Sequence, residues 1–230
     1  MPIPVAFHWS GGKDSAHALG RLVRDDRYEL RCLVTTIQGP RGDSSVHGLP
    51  KHLLHAQADA IGLPLHTVAL SGPGLDDYSE VMGGVARRLR ETGIRAVAFG
   101  DLEYSGALEY REELFAPLGL AVVEPLWGMT SQECIEDFLR SQIDALTVVV
   151  DASALGRKHL GVTLDQVFLD ALPDGCDPCG EFGEYHTFVS SAPYFRHPIR
   201  FAIHETERIE RQIGTHDGIK TFAYWQLRLQ

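Results

Sequence analysis

Val5-Ala6-Phe7-His8-Trp9-Ser10-Gly11-Gly12-Lys13-Asp14-Ser15 runs from an apolar strand into a glycine turn, after which Ala16, Ala18, Leu19, Leu22 and Val23 recur at helical spacing. Strand, tight loop and helix in that order open an α/β unit. Paired glycines let the backbone turn sharply and come close to an anion, while the free N–H groups at a helix start favour phosphate. Ser10 and Ser15 add hydroxyl donors, Lys13 adds a cation, and Asp14 offers a carboxylate for a magnesium ion bridging phosphate oxygens. The alternative is a plain turn with Ser or Asp capping a helix. Neither the Walker pattern nor the dinucleotide-binding glycine fingerprint is present, which removes the support for those two folds.

Outward from this segment, short apolar runs alternate with helical patterns to about residue 125, the mark of parallel strands joined by crossover helices. The spacing predicts strands at Pro4 to His8, Leu30 to Thr36, Leu65 to Leu70, Ala96 to Phe99 and Ala121 to Val123. Helices are predicted at Ser15 to Arg24, Pro50 to Ile61, Asp76 to Glu91 and Ala107 to Leu118. Beyond Trp127 come a helix near Ser131 to Ser141, a β-branched run Thr147-Val148-Val149-Val150, a helix near Leu164 to Leu172, and a Gly- and Cys-rich loop. Asp217-Gly218 signals a hairpin between Arg208 to Ile213 and Lys220 to Leu229. The expected organisation is an α/β domain over residues 1–125 and a smaller α+β part over 126–230 that receives the substrate.

A chain of 230 residues that is 44% hydrophobic can bury one substantial core and a smaller second one. No apolar run approaches the roughly 20 residues of a membrane span, and no basic-then-apolar leader opens the chain, so a cytoplasmic protein is expected. Four scattered cysteines, Cys32, Cys134, Cys176 and Cys179, read as reduced thiols. A formal net charge of -10 argues against general nucleic-acid binding. Apolar strand residues near Phe222, Tyr224 and Trp225, expected to be exposed, suggest a homodimer.

Ser10-Gly11-Gly12-Lys13-Asp14-Ser15 resembles the PP-loop of the N-type ATP pyrophosphatases, which include GMP, NAD and asparagine synthetases. The resemblance implies an open parallel sheet of the adenine nucleotide alpha hydrolase type, Rossmann-like in outline. It implies ATP and Mg2+ as cofactors and adenine near Thr35 and Thr36; alone, those threonines indicate only a strand end. It also implies a chemistry in which a substrate oxygen attacks the α-phosphate, pyrophosphate leaves, and a nucleophile, often ammonia, displaces AMP.

Four further segments follow in order: Val46-His47-Gly48, Phe99-Gly100-Asp101-Leu102, Pro125-Leu126-Trp127, and Gly175-Cys176-Asp177-Pro178-Cys179-Gly180-Glu181-Phe182-Gly183-Glu184-Tyr185-His186-Thr187. With the loop at residues 10–15 they resemble the diphthine-ammonia ligase family and its bacterial-type relatives across most of residues 4–197. At Leu108 and Tyr110 the chain departs from the basic residues of that pattern, while it keeps Glu112. Carried over, the resemblance implies an ATP-dependent ligase that adenylates a carboxylate-bearing substrate and transfers ammonia to it.

The residues have their own readings beside that resemblance. Gly180 and Gly183 keep the late loop open, and Glu181 with Glu184 brings two carboxylates near each other, suited to magnesium, ammonium or a cationic substrate, or to general base work. A solvated surface turn is the alternative. Gly100-Asp101 ends a strand where crevices form in open parallel sheets, and Asp101 either orients magnesium-bound pyrophosphate or caps a turn. Arg111-Glu112 faces the cleft or forms an exposed ion pair, His47 is a site residue or a packing group, and Arg41 sits in a loop able to close over the triphosphate. Trp127 reads as a core aromatic. The candidate catalytic set is Lys13, Asp14, Glu181 and Glu184, with Asp14 and Asp101 as metal ligands. Gly100 and Asp101 join Ser10–Ser15, Thr35 and Thr36 in binding the nucleotide, and His47, Arg111, Glu112, Gly180, Gly183, Tyr185, His186 and Thr187 receive the substrate. Cys176 and Cys179 lack two further ligands for zinc. A sulfur transferase using Cys179 and a non-catalytic ATP-sensing module are the rival functions.

Overall fold

The computed structural model describes residues 1–230 except 40, 46, 73–74, 103–105 and 216–217; within 75–76 and 213–215 only the backbone is described. The expected hairpin turn at Asp217-Gly218, and Val46 of its motif, therefore lie partly or wholly outside the described residues. β1 (Ile3–His8) lies at the middle of a parallel sheet, between β2 (Tyr28–Gln38) and the later strand β5 (Ala96–Ala98). β4 (Leu65–Leu70) pairs on β2, β6 (Ala121–Val123) pairs on β5, and the two-residue β3 (Asp43–Ser44) runs antiparallel along the end of β2. The strand order reverses on either side of β1, and at such a point the crevice of an open sheet opens beyond the strands' carboxyl ends.

Helices α1 (Lys13–Leu22), α2 (Lys51–Ile61), α3 (Leu75–Glu91) and α4 (Ala107–Phe115) connect the parallel strands. Side chains of β1 alternate as a strand buried on both faces requires. Val5, Phe7 and Trp9 enter one apolar cluster with Leu19, Leu33 and Leu54. Ala6 enters another with Val34, Met82, Val97, Phe99 and Phe115.

The second part begins with α5 (Ser131–Arg140), whose start is defined by a capping box: Thr130 accepts from the Glu133 amide while the Glu133 carboxylate accepts from that of Thr130. An antiparallel sheet follows, ordered β8-β7-β10-β9, from β7 (Asp144–Asp151), β8 (Tyr185–Ser191), β9 (Ile203–Thr215) and β10 (Gly218–Leu229). Ile135, Phe138, Val148, Phe188 and Leu227 belong to the same cluster as Phe7 and Trp9, so both sheets close on one core.

Three expectations are corrected. The helix expected near Leu164 to Leu172 shrinks to α6 (Gln166–Asp170), because the Asp165 carboxylate accepts from the Phe168 amide at 2.9 Å and caps it there. Tyr185, His186 and Thr187 lie on β8 rather than in a loop, since past Gly183 the β-prone run Tyr185–Ser191 finds a partner in β7. The aromatics read as exposed are covered: Tyr224 is buried, and Phe222 and Trp225 pack against the core.

Candidate active site

A cleft of about 330 Å3 opens over the carboxyl end of β1, walled by the loop 8–15, by Thr35 and Thr36 of β2, by Phe99–Asp101 beyond β5, and by residues 179–187. Its floor is set by close backbone approaches. A methyl group on Gly12 would run into the His47 ring, and one on Gly100 would stand 2.8 Å from the Asp14 backbone. Only glycine brings the end of β5 so near the first turn of α1.

Two bonds join the ends of the sequence here. The Lys13 amide donates to Oγ1 of Thr187 at 2.9 Å, and the Val189 amide donates to the Gly11 carbonyl at 2.9 Å. Gln57 ties the same region, donating to the carbonyls of Gly11 and Val189 and accepting from Nε1 of Trp9. Within the loop, Oγ of Ser10 lies 3.0 Å from Oγ of Ser15, and Ser15 donates to the Gly12 carbonyl. Among the described residues no acceptor takes the amides of Asp14 or Ser15, which is the open end of a helix N-terminus.

Charge is concentrated in this space. Nζ of Lys13 contacts Oδ1 of Asp14 at 2.5 Å and stands 5.6 Å from the Tyr185 ring centre. Burial works against the Lys13 charge, but Asp14 first, then Tyr185, Cys179 and Glu181, outweigh it and hold its pKa well above the usual lysine range. The Glu181 carboxyl is pushed up to about 8, by burial first and then by Asp14, against the pull of Lys13. A group so placed holds its proton when the cleft is empty and gives it up when a cation arrives.

At the other end Arg111 pairs with Asp101, lies 3.5 Å from Oε1 of Glu124, and stacks its guanidinium 3.5 Å above the Phe99 ring. Burial raises the Asp101 pKa, against the pull of Arg111. The Glu124 side chain is 2% exposed, and burial followed by Asp101 pushes its carboxyl up to about 8. His8 stacks on Phe99 with centroids 5.3 Å apart and is pushed down to about 3, by burial and then by Arg111. His47 is held by a 2.8 Å contact from Nδ1 to the Thr187 carbonyl and is lowered to about 4, mainly by burial. The His186 ring is 5.1 Å from that of His47, and burial holds it well below the usual range.

Most of the residues singled out in the sequence meet in this cleft: Ser10, Lys13, Asp14, Ser15, Thr35, Thr36, His47, Gly100, Asp101, Arg111, Gly180, Glu181, Gly183, Tyr185, His186 and Thr187. Gly11 and Gly12 shape the turn from behind. Glu184 is not among the lining residues; its carboxylate accepts from the amides of Asp177 and Phe182, each at 3.0 Å. Glu112 is exposed on α4, outside the lining, and Arg41 pairs with Asp43 away from it. Sequence reasoning passed over His8, Ser44, Ser45 and Glu124. Glu124 carried a usable signal, an acid directly after a predicted parallel strand; the serines carried none.

Fold and site together define an α/β protein of the PP-loop type. Residues 3–121 match the diphthamide synthase N-terminal domain and residues 130–221 the diphthamide synthase C-terminal domain. The chain belongs to this family of ligases. It is 26% identical over 245 aligned residues to the diphthine–ammonia ligase of Rattus norvegicus, covering 97% of this chain and 90% of that protein. The Homo sapiens diphthine–ammonia ligase is 27% identical over 217 residues, covering 85% and 81%. The Schizosaccharomyces pombe relative of the same name is 25% identical over 173 residues, 68% of this chain and 28% of the longer protein. No helix among the described residues is long and apolar enough to cross a membrane.

Proposed function

We propose that this chain is an ATP-dependent amide ligase that adenylates a substrate carboxylate and transfers ammonia to it, with a diphthine-like group as acceptor. The observation that carries the reading is the bond from the Lys13 amide to Thr187, which sets the phosphate loop and the Glu181 loop against one cleft. Residues 1–125 supply the nucleotide side and residues 126–230 close the acceptor side.

In this reading the triphosphate lies on the open amides of Asp14 and Ser15 and the hydroxyls of Ser10 and Ser15, with adenine along Thr35 and Thr36. The substrate carboxylate oxygen attacks the α-phosphorus, and the bond to pyrophosphate breaks. Nζ of Lys13 neutralises charge on the leaving oxygens. Glu181 holds ammonium and takes its proton; the freed ammonia attacks the acyl carbon, AMP leaves with the former carboxylate oxygen, and the new amide nitrogen gives up one further proton to water. Magnesium fits the donors available, since it needs only one or two carboxylates when phosphate and water supply the rest, and Asp14 and Asp101 both line the cleft. No group of three or more His, Cys, Asp or Glu among the described residues forms a dedicated metal cage. Bound there, magnesium would neutralise phosphate charge. A cytoplasmic setting belongs to the reading, and a homodimer does not, because the aromatics that suggested one are covered.

Phosphorus NMR of the protein with ATP, magnesium, an ammonium salt and diphthine-bearing elongation factor tests this. AMP with pyrophosphate, lost in Asp14→Ala, is the expected result. ADP with phosphate would overturn the mechanism, and ATP retained without turnover under every acceptor condition would favour the sensing module.

A further inference from the structure

Ser44, Ser45 and His47 wall the cleft beside Thr36, on the loop between β2 and α2. Among the described residues the regular structure of this loop is the two-residue β3, below the usual strand length of about 3–10 residues. Its inner bonds are few: the Leu49 amide donates to Oγ of Ser44 at 3.0 Å, and Oγ of Ser45 lies 2.9 Å from Oγ1 of Thr36. Two ties from the second sheet hold the wall on either side. Nη1 of Arg228 donates to Oδ2 of Asp43 at 3.1 Å, an oxygen that Arg41 also reaches at 3.2 Å, and Nε of Arg228 pairs with Glu207. Nε2 of Gln226 donates to the Gly48 carbonyl at 3.2 Å, and Oε1 of Gln226 accepts from Nη2 of Arg211 at 2.8 Å.

Gln226 and Arg228, two apart on β10, share a face of the hairpin with Glu207 and Arg211 of β9. None of the four is among the residues that line the cleft. Gln226 is 1% exposed, where an apolar side chain would fill the space without needing partners. Its amide instead meets a guanidinium that can only donate and a carbonyl that can only accept, which fixes its orientation. Gly48 has φ +62°, and a methyl group on it would run into the Gln226 amide and the Arg211 guanidinium, so loop and hairpin meet at close range.

We propose that Gln226 and Arg228 are positioning residues for the nucleotide, fixing from the second sheet the wall at Ser44, Ser45 and His47 against which the adenosine end of ATP lies. This rests on the placement of adenine along Thr35 and Thr36 proposed above. The phosphate loop does not hang on the hairpin, because its ties run to Thr187, Val189 and Gln57. The two halves of the ligand are therefore separable: the adenosine half depends on Gln226 and Arg228, and the pyrophosphate half does not.

Calorimetric titration of the full chain with AMP and, separately, with pyrophosphate tests this. Gln226→Glu keeps an acceptor for Arg211 but has no donor for the Gly48 carbonyl, so it should weaken AMP binding about tenfold and leave pyrophosphate within about twofold. Arg228→Gln and Asp43→Asn, nearer the surface, should each weaken AMP by about threefold, and the double variant should be no weaker than the stronger single one. These two carry the test if Gln226→Glu does not fold. In AMP-forming assays the same variants raise KM for ATP and keep kcat. Unchanged AMP affinity in the folded variants, or equal weakening of AMP and pyrophosphate, would overturn the proposal. A wild-type chain that binds no AMP would remove the adenine placement and this inference with it, whereas AMP weakened in the variants stands whether or not ligation is detected.

Discussion

The two loops that face each other across the cleft use their polar side chains differently. Residues 10–15 are held from outside, by Thr187, Val189 and Gln57, and their polar groups turn toward the space where a ligand would sit. Residues 177–184 have outside ties as well, the Asp151 amide donating to the Glu184 carbonyl, but two of their acids are spent on the loop's own backbone. Asp177 accepts from the amides of Cys179 and Glu181 at 2.8 and 3.2 Å, and Glu184 accepts from those of Asp177 and Phe182. Of the three acids in the late loop, two serve the loop and Glu181 alone faces the cleft. Acidic residues three apart in sequence thus divide by what already satisfies them, not by residue type.

Substitutions can break that comparison. Asp14→Ala should have the largest effect, lowering AMP formation by about 100-fold or more, because the acid lies where phosphoryl charge develops. A loss below about threefold in single-turnover assays would move the reacting end elsewhere. Glu181→Gln comes next, at roughly 10- to 100-fold in ligation with little change in melting temperature. Glu184→Ala should show the reverse pattern: it leaves two amides without their acceptor and costs about 1–3 kcal/mol of stability, read by denaturant unfolding. Should Glu184→Ala abolish turnover at unchanged stability, the division of the acids would be wrong. Gly100→Ala should cost a similar ~1–3 kcal/mol, because the neighbour at 2.8 Å is backbone and cannot swing aside.

The last comparison is in pH dependence. Burial lifts Glu181 and Glu124 to about 8 in the fold, above the 4.5 of an ordinary glutamate. The folded state then binds more protons than the unfolded one between those values, so stability is full below about pH 4.5 and falls as pH rises toward 8. Glu124→Gln and Glu181→Gln should each flatten this fall when melting temperature is followed across that range.

The parallel sheet was legible because its signals are local: apolar runs of strand length, helical spacing between them, and glycines at the joints. Every strand and helix predicted before residue 125 is present, with ends shifted by at most two residues except at α4, which stops at Phe115, three residues before the predicted Leu118. The phosphate loop was legible for the same reason. The inward turn of Glu184 was not, since it depends on amides that converge only after Gly180 and Gly183 adopt positive φ. The burial of Phe222, Tyr224 and Trp225 was hidden as well, because the core that covers them comes from distant parts of the chain.

The bond between Lys13 and Thr187 spans 174 positions, and it bears on how the protein matures. During synthesis the phosphate loop leaves the ribosome well before its partners at Thr187 and Val189. The early segment can collapse with β1 and α1 as a unit, but the finished binding surface waits for closure of a very long chain loop, the slow kind of event in folding. Nucleotide would then arrive as a late stabiliser of an assembled molecule, not as a template for the nascent one.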